Sequence, residues 1–183
     1  MVEPVVRNIM CTVDLGCKLN LPHIATHGHN VQYRPEKFNP VVMRLEEPIK
    51  FTTLIFTSGK IVLTGTKTEE NAEKAARIVA QELKKLGFPV QFLNFRITNI
   101  VASADLGFCP RFTNFYNKNI KFVDYSPEIF PGLIYRSGVT VIVFKSGKVI
   151  LTKAKTRQEI YDVFEAFKNS IHSLTIEQGS NGI

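Results

Sequence analysis

The sequence predicts an α+β fold assembled from two copies of one unit. Three observations carry this. Residues 56–68 read FTSGKIVLTGTKT and residues 144–156 read FKSGKVILTKAKT, aligned without a gap at an offset of 88. Shorter matches flank them: Asn8-Ile9 with Asn99-Ile100 and Asp14-Leu15-Gly16 with Asp105-Leu106-Gly107 at offset 91, Phe38 with Phe130 and Arg44 with Arg136 at offset 92. Each copy also runs through β-like segments into a helix. Recurrence of this density marks an internally duplicated architecture. The repeats divide the chain at 1–92 and 93–183, expected to form one intimate domain, and the small register slips put their differences in loops and hairpins.

The helices are legible from their ends. Thr68 is placed to cap the first, with Glu69 and Glu70 in its opening turn, where carboxylates suit the helix dipole. Ala72, Ala75, Ala76, Val79, Leu83 and Leu86 follow at helical spacing, and Gly87 and Pro89 end the run. The second helix opens on Thr156-x-x-Glu159, a capping-box pattern, with a stripe of Ile160, Val163, Phe164, Phe167, Ile171 and Leu174. Segments 19–27 and 110–116 read as short helices, and 177–183 as a mobile tail.

The strands come in hairpins. Segments 52–57 and 61–66 flank Ser58-Gly59, and segments 139–144 and 148–153 flank Ser146-Gly147. Earlier strands are expected at 5–13, 39–46, 95–103 and 131–136. With three residues outside each ladder, Leu54, Phe56, Val62 and Thr64 share one face, and Ile55, Ile61 and Leu63 the other. Ile142, Phe144, Ile150 and Thr152 likewise oppose Val141, Val143, Val149 and Leu151. Both faces are apolar, whereas a sheet covered on one side should be polar on the other. Two long helices cover one face, so the second is expected to meet a partner.

Composition narrows the partner. The chain has 183 residues, 44% hydrophobic, and a net charge of +7. The sequence pI is about 9.4. Such charge fits a polyanion as well as it fits an ordinary basic protein. Three cysteines without zinc-type spacing fit a reducing compartment. No apolar run is long enough to span a bilayer. Residues 1–15 carry Glu3, Arg7 and Asp14 instead of the apolar core of a signal peptide.

These residues resemble the conserved core of the TATA-box-binding protein family from about residue 5 to about residue 175. The most specific pieces are Asn8-Ile9, LGCKLNL (15–21), FTSGKIVLTGTK (56–67), KLGFPVQFLNF (85–95), FPGLIYR (130–136) and EIYDVFEAF (159–167). The resemblance implies a pseudo-twofold saddle of ten antiparallel strands, five per repeat, with four helices on the convex side. The concave face would take the minor groove of DNA, a mechanism of which this family is itself the standard example.

The resemblance also assigns roles. Phe38 with Phe56, and Phe130 with Phe144, match the wedges that kink DNA. Phe130 is followed by Pro131, and both members of that dipeptide fall at the expected DNA contact. Apart from the resemblance, Phe56 and Phe144 read as core residues, whereas Phe38 and Phe130 sit in turn-like PEKFNP and PEIFPG. Asn8 and Asn99 match central contacts to base acceptors, and Thr64 and Thr152 the paired threonines beside them. Leu54, Val62, Val101, Ile142 and Ile150 match aliphatic groove contacts. Arg44, Lys60, Lys67, Arg136, Lys148 and Lys155 match phosphate contacts.

The chain departs from the family pattern in places. Met10 replaces Val on the expected DNA face, Asn39 replaces Ala beside the first wedge, and Lys153 replaces the Gly found at Gly65. The hairpin before Phe144 is about three residues shorter than usual, and that before Phe56 one longer. The second stirrup, near 124–130, implies a transcription factor IIB contact through Glu128 and Ile129, weakened by Ser126 in place of an acidic residue. The factor IIA surface would lie around 31–35 and helix 69–86, with Lys74, Arg77, Lys84 and Lys85. TBP-associated factors are the other partners implied, and the free protein could pair with a second copy through its apolar face.

Other chemistry is weaker. His23, His27 and His29 with Cys17 could bind zinc, but surface histidines without an acidic neighbour are the plainer reading. GxxxxGK[ST] is absent, and no Ser–His–Asp or Cys–His set recurs, so neither enzyme activity nor a cofactor is expected. The resemblance implies a nuclear factor that bends TATA-box promoter DNA and nucleates the preinitiation complex, and the basic pI favours a eukaryotic source. One alternative is a TBP-related paralogue with altered TATA preference, acting mainly as a protein-interaction platform. Another is a saddle-like domain of a nucleic-acid enzyme.

Overall fold

The structure, a computed structural model, describes residues 3–180. Residues 8–98 form one compact unit, and the remaining described residues form the other. Ten antiparallel strands and four helices are shared equally between the two repeats. The first repeat contains β1 (Val5–Asp14), α1 (Leu21–His27), β2 (Val31–Arg34), β3 (Phe38–Leu45), β4 (Phe51–Ile55), β5 (Lys60–Thr66) and α2 (Glu69–Lys85). The second contains β6 (Leu93–Asp105), α3 (Phe112–Lys118), β7 (Val123–Asp124), β8 (Leu133–Ser137), β9 (Val139–Val143), β10 (Lys148–Ala154) and α4 (Arg157–Ser180). Strand order is β2-β3-β4-β5-β1 in the first repeat and β6-β10-β9-β8-β7 in the second.

The hairpins close with three residues outside the ladder, as the face count requires. Leu54 pairs Val62 and Ile55 pairs Ile61, and the Phe56 N–H donates to the Lys60 carbonyl at 3.0 Å. In the second copy Ile142 pairs Ile150 and Val143 pairs Val149, closed by Phe144 N–H to Lys148 carbonyl at 2.9 Å. Odd positions on β5 and β10 are buried: Ile61 and Leu63, then Val149 and Leu151.

The two phrases that recur at different offsets touch each other within each copy. The Leu15 N–H donates to the Gly59 carbonyl and the Leu106 N–H to the Gly147 carbonyl, both at 2.9 Å. Asp14 and Asp105 brace their loops by accepting from the N–H of Gly16 and Gly107, each at 2.9 Å. Gly59 and Gly147 have φ of +91° and +90°, and a Cβ on either would overlap the carbonyl oxygen of Cys17 or Phe108. Only glycine permits both that backbone and that approach.

Each helix covers the buried face of its own strands. Thr68 Oγ1 accepts from the Asn71 N–H at 3.1 Å, and α2 buries Ala72, Ala75, Ala76, Val79 and Leu83. It also buries Ala80, which the spacing left out, while Leu86 is only half-buried. The capping box of α4 is complete: the Glu159 N–H donates to Thr156 Oγ1, and the Thr156 N–H to Glu159 Oε2, both at 3.2 Å. Phe167 meets Phe115 of α3 edge-on at 5.2 Å. Cys11, wholly buried under α2, has its thiol pushed up to about 12 by that burial.

Three expectations need correction. Residues 177–180 are not a mobile tail, because α4 continues through Ser180; residues 181–183 lie outside the described residues. Phe38 opens β3 and does not lie in a turn. The strand expected at 131–136 begins at Leu133, since Pro131 has no N–H for a ladder. The edge strands β2 and β7, of 4 and 2 residues, are too short for alternation to reveal them, and residues 31–35 were expected as a strand only through the resemblance.

Candidate nucleic-acid interface

Register places five side chains in a row across each copy. In the first, Gln32 pairs Val42, Val42 pairs Leu54, Leu54 pairs Val62 and Val62 pairs Thr12. In the second, Asp124, Ile134, Ile142, Ile150 and Ser103 follow the same order. The middle of each row is aliphatic and incompletely buried; Ile150 is 36% exposed. These are the members of the second apolar face, opposite the fully buried positions of the same strands. Val42, Ile134, Thr12 and Ser103 escaped the sequence reading because their place depends on pairing between strands, not on local alternation.

One step along the strands lies a second, polar row. Arg44 pairs Thr52 and Thr52 pairs Thr64; Arg136 pairs Thr140 and Thr140 pairs Thr152. Both arginines are exposed and lightly held. Arg44 donates to Gln32 Oε1 at 3.3 Å, and Arg136 lies 3.9 Å from Asp124 Oδ2.

Asn8 and Asn99 sit beside these threonines. Asn8 Oδ1 accepts from the Gly65 N–H at 2.8 Å, and its Nδ2 is 2.8 Å from Thr64 Oγ1. Asn99 Oδ1 accepts from the Lys153 N–H at 2.7 Å and lies 3.4 Å from Thr152 Oγ1. The backbone donors need the amide oxygen, which fixes the orientation of each side chain, and the Asn8 NH2 then donates to Thr64 Oγ1. The left-handed residue at the bulge makes this geometry: φ is +105° at Gly65 and +67° at Lys153.

The four phenylalanines are not core residues. Phe38 is 50% exposed and Phe130 39%, while Phe56 and Phe144 are half-buried on the face of Leu54 and Ile142. Phe130 and Phe144 meet at 6.0 Å with their planes 65° apart. A Cβ at Gly132 would come within 2.7 Å of Phe130 Cε1 and 2.9 Å of Ile142 Cγ2, so this glycine gives the ring its seat. Among the described residues no ring contact joins Phe38 to Phe56. Pro131 is exposed beside Phe130, and Met10 and Val101 are half-buried on the strands that carry the asparagines.

The cations differ in their surroundings. Lys148 Nζ is 2.6 Å from Asp105 Oδ2. That hydrogen bond, with the Gly107 N–H behind it, holds the Asp105 carboxyl below the usual carboxylate range. Lys60 is exposed and forms no ion pair among the described residues. Lys67 and Lys155 lie outside the rows, in the links to α2 and α4. Glu128 and Ile129 are in an exposed turn, Ile129 at 88%. On α2, Lys74 pairs Glu70 at 2.7 Å, Arg77 pairs Glu73 at 3.1 Å and Lys85 pairs Glu82 at 2.7 Å.

His23 and His27 make structural contacts. Their rings lie 4.3 Å apart, tilted by 35°, and their nitrogens reach the carbonyls of Leu86 and His23 at 3.2 and 3.1 Å. No group of three metal-ligating side chains occurs among the described residues. No helix among them is long and apolar enough to cross a membrane.

The family profile described as "Transcription factor TFIID (or TATA-binding protein, TBP)" matches residues 3–86 and 94–174, both copies of the repeat. The chain belongs to the TATA-binding protein family. That family is one of transcription factors, not of enzymes. The TATA-box-binding protein of Acanthamoeba castellanii is 48% identical over 167 residues, 90% of this chain and 64% of its own length. The TATA box-binding protein-like 2 of Homo sapiens is also 48% identical over 90% of this chain, and 48% of its own length. The chain thus spans about half to two thirds of the curated relatives it matches. The structure of Methanococcus jannaschii TBP superposes with a TM-score of 0.79 at 34% identity, covering 93% of this chain and 99% of that one. The α+β fold of ten antiparallel strands and four helices expected from the sequence is therefore that of the TATA-binding protein family.

Proposed function

We propose that this chain is a general transcription initiation factor that binds TATA-type promoter DNA in the minor groove and bends it. The observation that carries the reading is the duplicated face. Each copy offers an aliphatic row, an Asn–Thr pair, an arginine and a Phe pair. The minor groove of A·T pairs offers acceptors at A N3 and T O2 and few donors. Aliphatic side chains pack there without stranding polar groups, and the Asn8 and Asn99 amides supply donors of the type those acceptors take. Phe130 with Phe144, and Phe38 with Phe56, act as wedges. Unstacking a base step costs a few kcal/mol, offset by the contacts that bent DNA allows. Arg44, Arg136, Lys60, Lys67, Lys148 and Lys155 carry the phosphate contacts.

In this reading the factor works in the nucleus, nucleates the preinitiation complex, and meets factor IIB through Glu128 and Ile129. Factor IIA meets it around β2 and α2, and TBP-associated factors add to the assembly. The free protein covers its apolar face by pairing with a second copy. The two repeats, 1–92 and 93–183, act together as one DNA-binding domain. A second reading is a TBP-like paralogue with altered TATA preference. It draws support from the equal 48% identity to relatives named TATA-box-binding protein and TATA box-binding protein-like 2, and from Met10 and Lys153 on the binding face.

The test is affinity and end-to-end FRET on a TATA duplex and a scrambled duplex at stated salt. Tight, bent binding to the TATA duplex alone is expected. Equal affinity for both, or binding without a bend, sinks the first reading and leaves the paralogue.

A further inference from the structure

Two positions on the binding face break the duplication in the same sense. Arg7 stands where the offset of 91 places Thr98, and Lys153 stands where the offset of 88 places Gly65. Both changes add a cation, and both belong to the unit that contains residues 99–180. The Arg7 Nε–H donates to Ser103 Oγ at 2.7 Å, and Ser103 ends the row of Ile150, Ile142 and Ile134. The guanidinium thus lies on the candidate DNA face. Lys153 is exposed, adjoins Thr152 in the polar row and forms no ion pair among the described residues.

Lys153 also holds an unfavourable backbone. Its φ is +67°, in the left-handed region that glycine enters freely and lysine does not. The partner copy fills the same bulge with Gly65 and makes the same hydrogen bond to its asparagine, at 2.8 Å against 2.7 Å. Lysine is therefore not required for the fold there. A strained residue that the local geometry does not demand points to function.

We propose that Arg7 and Lys153 are orientation-determining residues: they give the Asn99 half of the face two DNA contacts that the Asn8 half lacks. Lys153 adds a phosphate contact, and Arg7 adds a donor to base-edge acceptors in the groove. The protein then binds an asymmetric duplex predominantly in one direction. This rests on the DNA-binding reading above.

The test uses an asymmetric TATA duplex with a dye at one end and a second dye on Cys109, which is exposed. FRET reports the ratio of the two orientations, and titration at several salt concentrations reports phosphate contacts. Lys153→Gln and Lys153→Gly should each lower the slope of log affinity against log salt by about 0.9, the value of one phosphate contact. Lys153→Arg should keep the slope. Arg7→Thr with Lys153→Gln should move the orientation ratio towards unity. An unchanged slope and ratio in variants that still bind with salt dependence overturns this inference alone. A protein that binds no duplex before any substitution overturns the DNA-binding reading instead.

Discussion

The side chains of Asn8 and Thr64, 56 residues apart in sequence, hold each other at 2.8 Å while the Gly65 N–H fixes the amide oxygen. Asn8→Asp keeps the oxygen for Gly65, removes the NH2 and adds a negative charge on the proposed DNA-binding face. It should weaken TATA binding by about 10- to 100-fold, the scale of one lost base contact at about 1–3 kcal/mol. The melting temperature should stay nearly unchanged. Fluorescence anisotropy beside thermal denaturation checks this; a large fall in melting temperature with intact binding would contradict it.

The Phe130–Phe144 pair is seated by Gly132. Phe130→Ala and Phe144→Ala should reduce the DNA bend, read by FRET, more than Lys148→Ala does. The lysine change should chiefly flatten the salt slope. Loss of the bend in Lys148→Ala with no change in the two Phe variants would reverse the wedge assignment.

Lys148 is held by Asp105, whose carboxyl is depressed first by the Lys148 hydrogen bond and then by the Gly107 N–H. A depressed folded value means the ionised form stabilises the fold. That contribution is complete above the ordinary value of 3.8 and is lost as pH falls through the lower folded value. Lys148→Ala should raise the Asp105 titration midpoint towards the ordinary value, as followed by carboxyl NMR. Asp105→Asn should keep the Gly107 contact and leave Lys148 to DNA, steepening the salt dependence of binding.

Gly59 and Gly147 allow the recurring Asp-Leu-Gly loops to dock on the Ser-Gly-Lys turns. Alanine at either meets a backbone carbonyl and a positive φ. Gly59→Ala and Gly147→Ala should each destabilise the fold by roughly 2 kcal/mol or more, combining left-handed strain with overlap. At Gly107 a Cβ meets nothing within 4 Å, so Gly107→Ala should cost only the strain of its φ. Denaturant midpoints of the three variants check the order; equal losses would remove the overlap argument.

The hairpins, both long helices and the two-faced strands were readable because each depends on neighbours within about a turn. Period-2 alternation around a three-residue turn fixes which side of β4, β5, β9 and β10 a residue takes. Caps at Thr68 and Thr156 mark where helices start. The end of α4 was not readable: EQGS looks like a tail by composition, yet the helix runs through Ser180. Nor were β2 and β7, whose few residues carry no period.

By itself, then, the amino-acid sequence determined the duplication, the two apolar faces and the residue types available for a nucleic-acid surface. Only tertiary structure decided which residues stand side by side. Arg7 reaches Ser103 across 96 residues, and Asn99 meets the Lys153 backbone across 54. Those meetings depend on strand register, and register here passes through bulges between Ile9 and Cys11 and between Leu151 and Ala154. A bulge inserts an extra residue on one strand and shifts what it faces. Local periodicity carries no record of that shift, because the pairing energy that sets it comes from strands distant in the chain.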